Sequence, residues 1–432
     1  MSFDRPRGTR DFLPEDQITR QEVFERISDV FQRYGFDPLE TPAFEKLETL
    51  TEKSGEDVQE ELYSFEDKGG RNLGLRFDLT VPLARVVANN REIPKPFKRY
   101  CISRVWRYER PRKGRYREFW QADIDTVGVK SIEADVECVM AGIEALESVG
   151  LSNFVVKISN RKLAEGLVLK AGVDEELVDE AFRAIDKLEK IGEEGVKKEL
   201  KERGIDEGTI PKIMEFLEIE GDNERVLERV EELLDGIDVG LEGIEELERF
   251  LEISQSYGME ADIDVDISLM RGLDYYTGNV FEVFSKDKDY PSLGGGGRYD
   301  NLVETFSKED EPAVGFSIGV EPLIDILKEE DRLDIDRTKS EVMVVPVSDS
   351  VLDVCRNLVS DLRDKNVPSE ISLKDRSISS NLSYCDSMGI QTVVIVGERD
   401  MEEDKVTLKD MDSGEERLIS LDDVAKEVKE SI

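Results

Sequence analysis

An α+β fold is predicted for this chain, and three observations predict it. Segments alternating at period two recur at 73–80, 97–126, 262–269, 279–284 and 313–318, as strands with two unlike faces should. Between them, residues 160–258 change character: Glu, Lys and Leu dominate, and apolar residues fall at three- and four-residue spacing, as in packed helices. Further on, Val342-Met343-Val344-Val345-Pro346, a helical pattern and Thr392-Val393-Val394-Ile395-Val396-Gly397 alternate as in an α/β domain. A sheet-rich core split by a helical insertion, then a separate α/β domain, satisfies all three. The expected limits are 1–159 and 259–327 for the core, 160–258 for the insertion, 328–338 for a charged linker and 339–432 for the last domain.

Each element rests on local signals. Ile18, Val23, Phe24, Ile27, Val30 and Phe31 share a helical face over 17–34, and Tyr34-Gly35-Phe36 ends that helix. Pro38 and Pro42 bracket an extended stretch. Arg76-Phe77-Asp78-Leu79-Thr80 reads as a strand with Asp78 and Thr80 on one side. Residues 97–108 and 117–126 read as the arms of a long hairpin. Arg107 and Glu109 share a parity on the first arm, Gln121 and Asp125 on the second. One face could then offer a guanidinium, an amide and a carboxylate to a ligand.

Composition narrows the chemistry. Charged residues make up 37% of the 432, and acids outnumber bases 99 to 59, a net charge of −40. Such a surface repels itself in dilute buffer, whereas at molar salt the Debye length is only about 3 Å. We read the charge as adaptation to a salt-filled cytoplasm, hence a halophilic source. Cys101, Cys138, Cys355 and Cys385 are far apart, so neither a zinc knuckle nor a disulfide framework is expected. No apolar run is long enough to span a bilayer and no secretory segment is evident, so a cytoplasmic protein without membrane attachment is expected. The chain has no histidine, which excludes Ser-His-Asp triads, imidazole bases and His-ligated metals. Carboxylates, arginines and phenols must do the work.

Against the acidic background, residues 95–117 carry ten bases and one acid, Glu109. A patch of opposite sign steers anionic partners. Two further runs concentrate chemistry: Arg271-Gly272-Leu273-Asp274-Tyr275-Tyr276, and Gly294-Gly295-Gly296-Gly297-Arg298-Tyr299-Asp300. The glycines alone could be a flexible loop. They are not a P-loop, since no Gly-Lys-Ser/Thr follows.

Together these two runs resemble the signature segments of the histidyl-tRNA synthetase family, within the class II aminoacyl-tRNA synthetases. The resemblance extends from Arg7-Gly8-Thr9-Arg10-Asp11 nearly to the end of the chain. Gly35–Phe44, with Pro42, is similar to motif 1, a dimer-forming segment. Arg104–Gln121 is similar to motif 2. The resemblance implies a mostly antiparallel class II core, an insertion that leans on the tRNA acceptor arm, and an anticodon-binding domain at the end. It implies Arg107 on the ATP α-phosphate, Glu109 and Arg115 around ATP and its magnesium, and Arg110, Arg112 and Lys113 against the tRNA acceptor end. For the histidine pocket it implies Asp78, Leu79, Thr80, Arg107, Gln121, Asp125, Arg271, Tyr275, Tyr276 and Tyr299. Asp78, Thr80 and Gln121 would hold the ammonium, and Asp125 and Tyr276 the two ring nitrogens. Arg107 and Arg271 would be catalytic. Mg2+ would be held mainly by ATP, with no site made of protein alone. The implied partners are ATP, L-histidine, tRNA(His) and a second copy of the chain.

Ala313-Val-Gly-Phe-Ser-Ile-Gly-Val-Glu-Pro-Leu323 is similar to motif 3, a strand running into a helix, but has Pro322 where the family usually has an arginine on the γ-phosphate. Proline is tolerated in a first helical turn, so the fold should survive while the clamp is lost. That departure keeps open a second reading, the regulatory subunit of ATP phosphoribosyltransferase in histidine synthesis. A third is a synthetase for threonine, proline or glycine. The intact Arg-Gly-Leu-Asp-Tyr-Tyr run and the last domain favour the histidyl enzyme over both.

Overall fold

The computed structural model describes residues 3–52, 56–259, 261–269, 275–287, 292–307, 310–330, 332–333, 336–374 and 376–431. The chain divides into two compact units. One comprises Met1–Arg10 and Val23–Arg332, the other Asp11–Glu22 and Leu333–Ile432.

The larger unit is built on eight strands: β1 Asp37–Pro38, β2 Phe97–Trp106, β3 Glu118–Val127, β4 Phe154–Asn160, β5 Asp262–Val265, β6 Asn279–Ser285, β7 Gly294–Arg298 and β8 Ala313–Gly319. They lie in the order β1-β2-β3-β8-β7-β6-β4-β5. All inner pairs are antiparallel, while β1 on β2 and β4 on β5 are parallel. The expected hairpin is β2–β3, in a register that sets Arg99 opposite Asp125 and Ser103 opposite Gln121. The tyrosine-bearing loop and the helix Thr80–Asn89 share a buried cluster that includes Phe77, Val81, Tyr275 and Tyr299.

Three expectations are corrected here. Residues 73–80 are not one strand: Asn72–Leu75 is a strand, and Thr80 already opens the helix. The Asp78 carboxylate accepts the Val81 amide at 3.1 Å, which satisfies a donor at the helix start. Arg76, Phe77, Asp78 and Leu79 are all buried, so no alternation of exposed and hidden faces survives. The first arm of the hairpin stops at Trp106, and Glu109 lies in the connecting loop rather than on the strand face. The strand expected over 262–269 ends at Val265, where Asp266 turns the chain by accepting the Ser268 amide and hydroxyl at 2.9 and 2.6 Å.

Between β4 and β5 the described elements are helical, from Arg161–Ala171 to Asp238–Ser256. Asn160 caps the first, accepting the Lys162 amide at 2.9 Å. The first and last of these helices cross at glycines. A Cβ on Gly166 would lie 2.5 Å from the Gly240 Cα.

The smaller unit holds five strands in the order Ser369–Ile371, Val342–Pro346, Thr392–Val396, Lys405–Asp410, Glu416–Ser420. The first three are parallel and the last two antiparallel. Val342 and Val344 face one core with Cys355, Leu358 and Val428, while Met343 and Val345 face another with Cys385 and Ile390. Burial on both faces explains why this strand is an unbroken apolar run.

Because the crossing has no room for a side chain, Gly166→Val should destabilise the larger unit by about 1–3 kcal/mol in denaturant titration. Unchanged stability would refute the close crossing.

Candidate active site

Three neighbouring strands, a helix start and two loops converge on a small cleft. It is lined by Thr80 at the helix start, Asp123 and Asp125 on β3, Gly295 and Gly296 on β7, Gly315, Phe316 and Ser317 on β8, and Tyr275, Tyr276 and Tyr299. The glycine run is strand, not loop. A Cβ on Gly296 would fall 1.9 Å from the Gly315 carbonyl oxygen, and one on Gly315 would fall 2.2 Å from Asp125 Oδ1. Glycine at 315 therefore leaves room for the carboxylate, and glycine at 296 leaves room for the neighbouring strand.

Asp125 is the most heavily committed group. Its Oδ2 lies 2.5 Å from Arg99 Nη2, and the Tyr299 hydroxyl donates to its Oδ1. Arg99 also donates to the Leu79 carbonyl at 3.0 Å. All three side chains are buried. Burial pushes the Asp125 carboxyl upward, while Arg99 and then the Tyr299 hydrogen bond pull it back. Burial and the nearby Asp125 carboxylate hold the Tyr299 phenol well above its ordinary range.

Asp78 stands behind the tyrosines. The Tyr275 hydroxyl lies 3.5 Å from its Oδ2, and burial raises its carboxyl to about 6. The rings of Tyr275, Tyr276 and Tyr299 meet edge to face, with centroids 5.1 and 5.7 Å apart around Tyr275. Gln121 donates from Nε2 to the Ser317 hydroxyl at 2.7 Å. Leu79 contributes its carbonyl, its side chain packing instead with Cys101 and Val105.

Arg107 lies just past the end of β2, its Nε donating to the Phe77 carbonyl at 3.0 Å. Beyond it the loop folds on itself: Arg112 and Arg115 exchange backbone hydrogen bonds at 3.1 and 2.9 Å around Gly114, whose φ is +71°. Arg115 Nη1 pairs with Glu109 Oε2 at 3.0 Å, so these two sequence candidates meet each other. Lys113 pairs with Glu329. Arg110, Arg112 and Lys113 do not line the cleft. The candidate Arg271 lies outside the described residues.

Arg298 does not reach the cleft. It is buried against Asp135, Nη2 to Oδ1 at 2.6 Å, and ties β7 to the helix Glu133–Ser148. Pro322 is buried in the first turn of Val320–Glu329, and the helix forms around it as expected. Its neighbour Glu321 pairs with Arg10 and accepts the Trp120 amide at 3.2 Å. Among the described residues, no group of three or more carboxylates or thiols is placed to hold a metal ion, and no helix is long and apolar enough to cross a membrane.

Sequence reasoning missed two residues. Arg99, counted there only among the bases of 95–117, is the buried counter-charge to Asp125. Asp123 shares the parity of Gln121 and Asp125, which was the available signal. It is 3% exposed, lines the cleft, and its Oδ1 has no hydrogen-bond partner among the described residues. Burial raises its carboxyl to about 7, against the pull of Arg99.

The chain matches the histidyl-tRNA synthetase family over residues 8–323 and the anticodon binding domain over 341–431. It is 40% identical to the histidine–tRNA ligase of Pyrococcus horikoshii over 429 residues, 99% of each chain. A crystal structure of histidyl-tRNA synthetase from Nostoc sp. PCC 7120 matches with a TM-score of 0.85 and 32% identity, covering 100% of both chains. A Bacillus halodurans structure described as an ATP phosphoribosyltransferase regulatory subunit/histidyl-tRNA synthetase matches with a TM-score of 0.75 and 25% identity, over 89% of this chain and 97% of that one.

The raised Asp123 carboxyl gives a pH-dependent stability of definite sign. The folded, ligand-free chain keeps a proton that the unfolded chain releases near pH 4, so this group costs stability increasingly as pH rises to about 7. Asp123→Asn should therefore stabilise the ligand-free protein by about 2–4 kcal/mol at pH 8, and by less than half of that at pH 5. Denaturant titrations at the two pH values would show it; an equal effect at both would contradict a raised carboxyl.

Proposed function

The chain belongs to the histidyl-tRNA synthetase family of aminoacyl-tRNA ligases, and from that premise we propose how its residues divide the reaction. The overall reaction is ATP-dependent activation of L-histidine to histidyl-adenylate with release of pyrophosphate, then transfer to tRNA(His). The observation that supports this site best is the cleft itself: buried carboxylates and three phenols around a strand of glycine.

Asp78, Thr80 and Gln121 receive the substrate ammonium, with the Leu79 carbonyl beside them. Tyr275, Tyr276, Tyr299 and Asp125 enclose the ring. A pocket built of buried polar groups rejects side chains that leave those groups unpaired, by up to about 10⁴–10⁵. Phenylalanine and leucine are excluded on that ground without editing.

The substrate carboxylate is already ionised near neutrality, so activation requires no base. It attacks the α-phosphorus in line with the departing pyrophosphate. Arg107 and Arg271 stabilise the charge that spreads over the phosphoryl oxygens, and such placement supplies most of the catalysis in phosphoryl transfer. Glu109 and Arg115 flank the nucleotide, their mutual ion pair opening to admit it. Magnesium brought in with ATP, with Glu109 and Arg115 around it, would supply charge neutralisation on the phosphates. Arg110, Arg112 and Lys113 meet the acceptor end of tRNA, Lys113 leaving Glu329 to do so. In the second step a ribose hydroxyl attacks the activated carbonyl, the adenylate phosphate oxygen takes its proton, and the acyl–phosphate bond breaks to release AMP. An essential protein base in single-turnover transfer would contradict that step.

The domain roles follow the same reading: catalytic core at 1–159 and 259–327, acceptor-arm insertion at 160–258, linker at 328–338 and anticodon domain at 339–432. We also propose a cytoplasmic homodimer joined through Gly35–Phe44, from a salt-rich cell. Light scattering that finds a monomer at molar salt would refute the dimer.

ATP–pyrophosphate exchange in molar potassium chloride should depend on histidine and not on threonine, proline or glycine. No exchange by folded protein would leave the regulatory paralogue as the better reading. Arg271→Ala should lose exchange by about 100-fold or more while remaining folded. Near-normal exchange would remove Arg271 from the catalytic set.

A further inference from the structure

β7 has almost no side chains of its own to hold it. Four of its five residues are glycine, and the fifth is Arg298. Tyr299 follows at once, its amide donating to the Ala313 carbonyl at 2.7 Å and its hydroxyl to Asp125. Successive residues of an extended chain point to opposite faces, so Arg298 turns away from the cleft as Tyr299 turns into it. On that far side all five guanidinium donors are met. Nε and Nη2 donate to the two Asp135 oxygens at 3.3 and 2.6 Å. Nη1 donates to the Val129 carbonyl at 3.0 Å and to Asp300 at 3.2 Å, and Nη2 also to the Ser131 carbonyl at 3.1 Å. A forked guanidinium used in this way holds one orientation. The Arg298 carbonyl accepts the Thr277 amide at 2.7 Å, and Thr277 Oγ1 accepts the Asp300 amide at 3.0 Å. Thr277 follows Tyr276 in the chain. Arg298 thus fixes the backbone beside two of the three cleft phenols.

Asp135 passes the connection on. Its Oδ2 also accepts the Asn279 side-chain amide at 3.0 Å. Asn279 opens β6, and its Oδ1 accepts the Asn160 side-chain amide at 2.9 Å. Asn160 ends β4 and donates as well to Glu246 Oε2 at 2.7 Å, on the insertion helix Asp238–Ser256. Asp135, Asn279 and Asn160 are wholly buried. An unbroken run of hydrogen bonds therefore joins Glu246, Asn160, Asn279, Asp135 and Arg298, and none of these five residues lines the cleft. Buried polar groups that are mutually satisfied specify one arrangement, where apolar side chains would only fill the space.

We propose that Asp135 is a positioning residue for the amino-acid pocket, acting through Arg298 on Tyr276 and Tyr299, and that Asn279 and Asn160 couple this setting to the insertion helices. This rests on the histidine-activating reading above. It places control of histidine binding on residues that never touch histidine.

The test is ATP–pyrophosphate exchange with histidine and ATP varied in turn. Asp135→Asn should raise KM for histidine by about tenfold or more, and leave kcat and KM for ATP within about twofold, because the phenols shift and the nucleotide's residues do not. Asn279→Leu, of similar shape, leaves Arg298 on Asp135 and Asn160 on Glu246, so no buried charge is stranded. It should raise KM for histidine by about threefold or more with the same selectivity, and carries the test if Asp135→Asn does not fold. Glu246→Ala, on the insertion, should also raise it, but should add nothing in the Asn279→Leu background, where the run of hydrogen bonds is already cut. An unchanged histidine KM in the folded variants would overturn the proposal. So would parallel changes for histidine and ATP, which a merely structural role produces. Additive effects of Glu246→Ala and Asn279→Leu would overturn the coupling to the insertion. Absence of histidine-dependent exchange in the unaltered enzyme would instead overturn the underlying function.

Discussion

The buried pair of Arg99 and Asp125 is the constraint on which the site depends. Two opposite charges far from water need close geometry and further hydrogen bonds to offset their lost hydration. Here the β2–β3 register sets the two residues directly opposite, Nη2 of Arg99 also takes the Leu79 carbonyl, and Tyr299 closes the other carboxylate oxygen. One ion pair thereby joins the central hairpin, the start of the helix Thr80–Asn89, and the residue that follows β7. Loss of either partner would strand the other, so these three elements are fixed together or not at all. The cleft lies between them and takes its shape from that fixation.

The glycine-rich strand is what the backbones on either side of it require. β7 runs antiparallel between β6 and β8. A Cβ at Gly294, Gly295, Gly296 or Gly297 would come within 3 Å of a backbone oxygen of an adjacent strand. Glycine weakens a strand by its entropy and its missing contacts. The antiparallel ladders on both sides offset that loss, and β7 keeps a single register because Arg298 at its end is locked onto Asp135. Arg298 is thus an anchor for the strand, although its place beside Tyr299 in the sequence invites a role in the pocket.

Much of this was legible in the sequence, and the exceptions have physical causes. Alternation found the hairpin to within two residues at each end, because its first arm alternates buried and more exposed residues, whereas the second is buried on both faces from Ala122 to Val127. The α/β domain was legible from two apolar runs, since a strand covered on both faces needs no polar positions. The stretch 76–80 misled because polar Asp78 and Thr80 stood two apart, which mimics a strand, whereas Asp78 opens a helix by capping Val81. Glycines 294–297 carry no side chain and so no periodicity, and only the neighbouring strands reveal them as sheet. Arg99 was hidden within the basic segment: a charge count treats every arginine there as solvated, and only the register shows which one is buried. Asp123 was legible in principle, since it shares the parity of Gln121 and Asp125, but two acids so close on one face of a strand look redundant until their hydrogen bonds are seen to differ.

The same reasoning bears on a chain with no histidine that acts on histidine. Imidazole would have been the usual device for placing a titratable group near neutrality. Here burial serves instead, raising the carboxyls of Asp78 and Asp123 to about 6 and about 7. A carboxyl raised in that way exchanges its proton closer to neutrality than an exposed one, and an incoming cation or hydrogen-bond donor pulls it back towards its charged form. Arg99 is such a cation for Asp125 within the folded chain. In the reading proposed above, the substrate ammonium does the same for Asp78. Two groups that titrate near neutrality are thereby built from burial alone, in a chain that has no imidazole to supply one.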